Sequence, residues 1–370
     1  MSRINDLIAE YCPNGVEYRE LAELVDYQQP SPYIVSSTNY DDSFSLPVLT
    51  AGQSFILGYS DDDQGIFYAS AERPVIIFDD FTTSFHWVDF DFKVKSSAIK
   101  MLRIKPDVDC SFRYVYYAMS CIQYVPKEHS RQWISIYSTF KIPVPPLPVQ
   151  EEIVRILDSF SSLEAELEAE LEARRKQYAY YRNELLTFDR ERVQWLKLGE
   201  AAFINKGTYI TKKQVIPGNI PVILGGVEPA YWHSESNHDG EGIVISRSGA
   251  NAGFASYWNE PIFVSDGFVL DATPGIDMRF LFHVLKKQQA KLHSMKRGSG
   301  VPHINSKMLA NNVAIPVPPL EEQQHVVSIL DRLDKFTNDL SSGLPAEIEA
   351  RRKQYEYYRD RLLSFDELAV

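Results

Sequence analysis

The sequence predicts a mixed α+β protein. It reads as two tandem α/β domains of one fold, separated by two long helices that pair as an antiparallel coiled coil with pseudo-two-fold symmetry. Three observations predict this. KIPVPPLPVQEEIVRILD (141–158) recurs as AIPVPPLEEQQHVVSILD (314–331) at an offset of 173. EARRKQYAYYRNELLTFD (172–189) recurs as EARRKQYEYYRDRLLSFD (349–366) at 177, the four-residue difference falling in LSSGLPAEIE of the second copy. GVEYRELAEL (15–24) faces RVQWLKLGEA (192–201), again at 177. A period near 175 is too long for a solenoid, so whole domains are repeated. The boundaries read as a first domain at 1–147, a helix at 148–190, a second domain at 191–320 and a second helix at 321–370.

Each domain shows short strands followed by a helix. PVIIFDDF (74–81), FKVKSSAIKMLRI (92–104), IPVILGG (220–226), GIVISRSG (242–249) and PIFVSDGFVLDA (261–272) have strand character. Helices are expected near 111–124 and 278–293. The strings PVLTAGQ and PVILGGV align, as do SSAIKML and VSDGFVL. The first of these pairs matches Gly52 to Gly226, and VIIFDD aligns with GIVISRS, which sets Asp79 where Arg247 sits. The framework repeats and the polar residues on it do not.

The helical blocks open with proline runs, Ile142–Pro146 and Ile315–Pro319, which lack N–H donors and read as extended edge segments. Helix is expected from about Gln150 and Gln323. A stripe spaced by three and four residues follows. In the first copy it includes Ile153, Leu157, Phe160, Leu163, Leu167, Leu171, Tyr178, Tyr181 and Leu185. In the second it includes Val326, Leu330, Leu333, Phe336, Leu340, Ile348, Tyr355, Tyr358 and Leu362. Gly343 and Pro345 should interrupt the second helix. An antiparallel pair sets one domain at each end, whereas a parallel pair makes them collide.

Composition narrows the function. With 370 residues, 44% hydrophobic and 24% charged, the chain suits two or three globular domains. No apolar run approaches the roughly 18 residues of a membrane span, and MSRINDLIAEYCPNG lacks the apolar core of a signal peptide. Cys12, Cys110 and Cys121 are few and not spaced as a zinc site, which points to a reducing cytoplasm. The net charge is −12. Residues 151–190 and 321–370 together account for −8 of it, while residues 24–141 carry −4 and residues 200–314 carry +2. A nucleic-acid role therefore needs local basic patches or a basic partner.

The duplicated IPVPPL…Q…ILD and EARRKQYxYYRxxLLxFD strings resemble the specificity subunit of type I restriction–modification systems, over essentially the whole chain. VISRSGANAGFASYW and IFDDFTTSF also look like target-recognition domains of that family. The resemblance implies two such domains, each reading one half of a bipartite, asymmetric site in double-stranded DNA. It implies an antiparallel coiled coil that sets the spacer and docks modification subunits, two of them in the notional assembly, with restriction subunits added. It implies no catalysis and no cofactor in this chain; S-adenosylmethionine belongs to the modification subunit. No membrane partner is expected. The residues agree: there is no Asn/Asp-Pro-Pro-Tyr/Phe methylase loop, no GxGxxG after a strand, no GxxxxGK[ST] and no HExxH. Two rival readings are a coiled-coil scaffold with two protein-binding domains, and an enzyme without a recognisable motif.

Candidate DNA-contacting residues follow from side-chain chemistry. Lys206, Tyr209, Thr211, Lys212 and Lys213 form a basic loop suited to phosphates, or a solvated turn. Arg247, Ser248 and Asn251 follow a strand, with Gly249 and Gly253 allowing close backbone approach. Arginine reads guanine and asparagine reads adenine, or both hold the loop. Lys296, Arg297, His303 and Lys307 surround flexible glycines. In the first domain Arg131, Gln132 and Trp133 occupy the matching end, with Trp133 equally readable as core. Gln53 could read adenine. Asp79 and Asp80 fit turn caps better than cytosine acceptors. Arg174-Arg175-Lys176 and its copy fit salt bridges such as Glu170–Arg174. Tyr178, Tyr180, Tyr181, Tyr355, Tyr357 and Tyr358 are dense enough that some need a partner.

Overall fold

The computed structural model describes residues 2–52, 54–225, 228–298, 300–339 and 342–368. The chain divides into two compact units, Met1–Glu166 with Glu349–Val370, and Leu167–Ile348.

In the first unit α1 (Ser2–Tyr11), β1 (Glu17–Glu20), α2 (Leu21–Leu24), β2 (Val25–Gln28), β3 (Leu46–Leu49) and β4 (Ile56–Ser60) come first. β5 (Val75–Asp79), β6 (Phe85–Val88), β7 (Lys93–Val94), β8 (Ile99–Ile104), α3 (Phe112–Met119) and β9 (Lys141–Val144) follow, and then the start of α4 (Leu147–Leu185). Four strands lie in the order β2-β8-β5-β6, three in the order β4-β3-β7, and β1 pairs with β9. Alternation along β5 decides what each face of the larger sheet meets. Ile76 and Phe78 join Tyr114 and Val115 of α3, Trp133, and Ile153 and Leu157 of α4 in one core. Val75 and Ile77 join Leu49, Phe67, Phe92 and Val94 in another, beneath the smaller sheet.

The second unit repeats this plan. Its elements are β10 (Gln194–Lys197), α5 (Leu198–Ala201), β11 (Ala202–Lys206), β12 (Ile220–Ile223), β13 (Tyr231–His233), β14 (Glu241–Ser246) and β15 (Ala255–Asn259). They continue with β16 (Phe263–Val264), β17 (Gly267–Ala272), α6 (Met278–Lys287), α7 (Gln289–Ser294), α8 (Ser306–Asn312), β18 (Ala314–Val317) and α9 (Leu320–Asn338). The sheets run β11-β17-β14-β15, β13-β12-β16 and β10-β18, the same orders as in the first unit. Ile243 and Ile245 face the helical side, and Val244 faces Ile223 and Val264.

Pairing corrects one alignment. Ile76 lies opposite Leu102 and Ile243 opposite Leu270, while β2 and β11 pair with those same positions through Tyr27 and Ile204. Asp80, not Asp79, therefore occupies the place of Arg247. The strings VIIFDD and GIVISRS differ in length by one, and only the ladder fixes which residue slips.

The proline segments are the strands β9 and β18, in two-stranded ribbons where a missing N–H is tolerated. Helix begins at Leu147 and Leu320, three residues before the expected glutamines. Pro148 is accommodated because first-turn N–H groups have no helical acceptor. Gly343 and Pro345 do interrupt the second block: α9 ends at Asn338 and α10 (Leu344–Leu362) begins afresh. A Cβ at Gly343 would stand 2.7 Å from the Lys335 carbonyl oxygen.

Each unit holds an antiparallel helix contact. In the first, Phe160 of α4 stacks on Tyr358 of α10 at 5.6 Å and Glu164 meets Arg352 at 2.5 Å. In the second, Arg174 of α4 lies over the Phe336 ring of α9 at 6.0 Å, and Tyr178 faces Asp334.

The repeated glutamine and aspartate seat the helices on the domains. Gln150 is buried; its Oε1 accepts from the Ser111 N–H at 2.9 Å and its Nε2 donates to the Pro145 carbonyl at 2.7 Å. Gln323 does the same with Asp277 N–H at 2.8 Å and the Pro318 carbonyl at 2.8 Å. Asp158 accepts from Arg113 Nε at 2.8 Å and Tyr117 Oη at 2.5 Å. Asp331 accepts from Arg279 Nη2 at 2.5 Å and pairs with His283 Nε2 at 2.6 Å. Burial pushes the Asp331 carboxyl up, but the bonds from His283 and Arg279 outweigh it and hold the group below its usual range. A depressed carboxyl stabilises the fold above its unfolded pKa, and that contribution is lost as pH falls through the folded value.

Asp331→Ala strands the fully buried His283 ring and should cost about 1.5–3 kcal/mol at neutral pH, the range for bonds to charged groups. Urea unfolding measures it, and the gap to the wild-type chain should narrow as pH falls below about 4.

Candidate nucleic-acid interface

In the second unit four chain segments meet at one end of the sheets. The segment after β11 runs along the β16–β17 turn, with the Gly207 N–H bonded to the Gly267 carbonyl and the Thr208 N–H to the Val264 carbonyl. The Ile210 N–H donates to Ser265 Oγ at 3.0 Å. The loop after β14 reaches the same turn: Arg247 Nε lies 3.5 Å from Asp266 Oδ1, and Ser248 Oγ donates to Asp266 Oδ2. The fourth segment closes on that loop, the Gly249 N–H bonding to the Pro302 carbonyl and the Ile304 N–H to the Arg247 carbonyl. Arg297 and His303 exchange backbone bonds, and Lys296 Nζ donates to the Ala250 carbonyl at 2.6 Å.

The structure thus brings together the chain segments that carry the second-domain candidates, with Lys307 at the start of α8 a few residues beyond His303. Lys206, Tyr209, Thr211, Lys212, Lys213, Asn251, Arg297, His303 and Lys307 are exposed. Tyr209 is 74% exposed, an aromatic with nothing of its own chain to cover it. Arg247 and Ser248 hold the loop through Asp266 and remain half-buried. Asp266 was missed in the sequence, although it replaces Ala98 of the first domain in the aligned strings. Gly249 and Gly253 both have the left-handed φ, +81° and +87°. A Cβ at Gly253 would lie 2.7 Å from the Leu292 carbonyl oxygen.

The first unit builds the matching end differently. The Gln132 N–H bonds to the Asp80 carbonyl, as Ile304 does to Arg247, so Arg131 takes the place of His303. Asp80 is fully buried and holds the segment together: its Oδ1 accepts from the N–H groups of Gln132 and Trp133 at 3.1 and 2.8 Å. Its Oδ2 lies 3.3 Å from both Lys100 Nζ and Arg131 Nη1. Asp79 caps the next turn, accepting from Phe81 and Thr82. Gln132 and Trp133 are buried, and Trp133 packs edge-on against Phe78 at 5.0 Å, so its core reading is the one its packing matches. Arg131 is half-exposed, and His129 stacks on Phe81 at 4.6 Å, a pair the sequence did not single out. Thr83, in the loop matching the SRSGANAG loop, has φ +61°, a strained value for a β-branched residue. Gln53, like Gly226, lies outside the described residues.

On the helices, Tyr178 and Ile348 are buried, Leu163, Leu167, Leu171, Tyr355 and Tyr358 are half-buried, and Leu340 lies outside the described residues. Tyr180, Tyr181 and Tyr357 are exposed at 61%, 40% and 59%. Glu170–Arg174 and Glu172–Lys176 pair at 2.7 and 2.6 Å, as their spacing predicts. Among the described residues no cluster of metal-ligating side chains occurs, and no helix is long and apolar enough to cross a membrane.

A family model for the type I restriction modification DNA specificity domain matches the chain twice, at residues 13–173 and 191–350. The EcoR124I/EcoR124II type I restriction enzyme specificity subunit of Escherichia coli is 40% identical, over 95% of this chain and 94% of that protein. The type I restriction–modification S subunit from M. genitalium has the same fold, with a TM-score of 0.67 at 17% identity over 94% of this chain and 96% of that one. A chain from a structural study of type I complex assembly and conformational transition gives 0.53 at 17% identity, covering 95% and 98%.

Gly253→Ala should destabilise the second unit by at least about 1 kcal/mol, since φ and space both exclude a Cβ. Asn251→Ala, at the exposed loop tip, should stay within about 0.5 kcal/mol of wild type in the same urea titration.

Proposed function

The chain belongs to the type I restriction–modification DNA specificity family, and we propose that each unit reads one half of a bipartite, asymmetric sequence in double-stranded DNA. One observation carries the reading. The sheets, the helix junctions and the cores coincide between units, while the loops at one end carry different side chains: Arg247 for Asp80, Asp266 for Ala98, His303 for Arg131. Two readers on one framework suit an asymmetric target. Base edges supply sequence, phosphates supply register, and linkage raises the effective concentration of the second reader.

The helical blocks serve as spacer and docking surface in this reading. The exposed tyrosines and the acidic balance of the helices suit modification subunits, one for each repeated block, and restriction subunits join the larger assembly. The chain performs no chemistry itself; adenine methylation with S-adenosylmethionine falls to the modification subunit, and the complex works in the cytoplasm. Co-expression with the cognate modification subunit, followed by genome-wide mapping of adenine methylation, tests this. A split motif with a fixed spacer is expected; a continuous motif, or none, overturns it.

The LEAELEAELEA repeat of α4 gives the spacer a handle. One inserted LEAE unit lengthens a helix by about 6 Å at roughly 1.5 Å per residue, nearly two base pairs at about 3.4 Å each. The mapped spacer should grow by one or two base pairs while both half-sequences stay the same.

A further inference from the structure

We infer that the two units grip DNA unequally: the second supplies most of the phosphate-binding charge, and the first reads its half-site mainly through neutral and already neutralised groups. This rests on the reading above that both loop ends face DNA.

The contrast lies in equivalent segments. The connection from β11 to β12 carries Lys212 and Lys213 and no acid, with Lys206 ending β11; the connection from β2 to β3 carries Asp41 and Asp42 and no cation. The segment from Lys296 to Lys307 holds Lys296, Arg297 and Lys307 without an acid, while its counterpart holds Lys127 and Arg131 beside Glu128.

Partnering widens the difference. Lys206, Lys212, Lys213, Arg297 and Lys307 are exposed and meet no carboxylate among the described residues. In the first unit Arg131 and Lys100 share the Asp80 carboxylate, Lys93 is buried against Asp62 at 2.7 Å, and Lys95 lies over the Tyr40 ring at 5.7 Å. Lys127 is exposed without a carboxylate partner among the described residues, one such cation against five; other groups exposed there are acidic or short and hydrogen-bonding, among them Asp41, Asp42, Ser37, Thr38, Asn39 and Thr82. A cation with a protein carboxylate for a partner releases few counterions from DNA, whereas a free one adds nearly its full share to binding. Sequence-independent affinity and its salt dependence therefore sit on the second unit, which holds the duplex while the first tests its half-site.

The experiment uses the full chain and a mixed-sequence DNA duplex of about 40 base pairs, so that only backbone contacts are read. Affinity is measured across a salt series for wild type, Lys212→Gln/Lys213→Gln and Lys95→Gln/Lys127→Gln, with thermal unfolding as the check on folding. The slope of log affinity against log salt should fall by about 2 for the second-unit pair, at roughly 0.9 per phosphate contact, and by less than half of that for the first-unit pair. Equal losses, or a larger loss from the first-unit pair, overturn the inference. A third variant, Asp42→Lys, supplies the missing cation and should steepen the slope by about 1; no change means that segment does not face the duplex, which overturns the first unit's part. A wild-type chain that binds without salt dependence removes the DNA reading itself, an outcome distinct from equal losses.

Discussion

A carboxylate held by an arginine and a ring, beside a glutamine that caps the entry of a domain helix, fixes where each helical block meets its domain. The same two devices occur in both units, at Gln150 and Asp158 and at Gln323 and Asp331. Hydrophobic packing of Ile153, Leu157, Val326 and Leu330 makes these junctions stable, but apolar contact is non-directional and tolerates sliding. Bidentate and charge-assisted bonds have a preferred geometry. The clamps therefore give the junction its register, and a change of register there would carry a whole reading domain with it.

That constraint explains what the duplication kept and what it released. Residues pointing from the central strands into the two cores are mostly apolar in both copies, because each face meets a fixed layer; the buried Lys100, counterpart of Phe268, departs from this and pairs with Asp80. Beyond the strand ends the loop tips meet solvent, so substitution at an exposed tip costs little stability, while a buried loop residue such as Asp80 is matched by its own neighbours. Asp80 and Arg247 illustrate the freedom. One is a buried anchor for two N–H groups and two cations; the other is a half-exposed guanidinium tied to Asp266. The same backbone position supports opposite charges because different neighbours arose with each.

Much of this was legible in the sequence because the chain holds two copies of itself. The repeated strings located the domains, the prolines marked the edge strands, and Gly343 with Pro345 marked the helix break. Contacts distant in sequence were not legible. Arg113 and Asp158 stand 45 residues apart, and no spacing rule links them. Gln132 reads as a surface group from its chemistry and Trp133 reads equally as core or contact; the Asp80 carboxylate, which binds both backbone N–H groups, draws the pair inward. The helices begin three residues before the repeated glutamines, and string similarity alone sets Asp79 where the ladder sets Asp80, because it cannot fix strand register.

Shared sheet orders and matching helix junctions make the two domains interchangeable bodies on one framework. The most direct measurement replaces residues 24–141 with a second copy of residues 201–314 and maps the methylation directed by the resulting chain. If the junctions are equivalent, the chain folds and its split motif has the same half-sequence on both sides. A chain that folds but keeps its original first half-sequence would contradict the account.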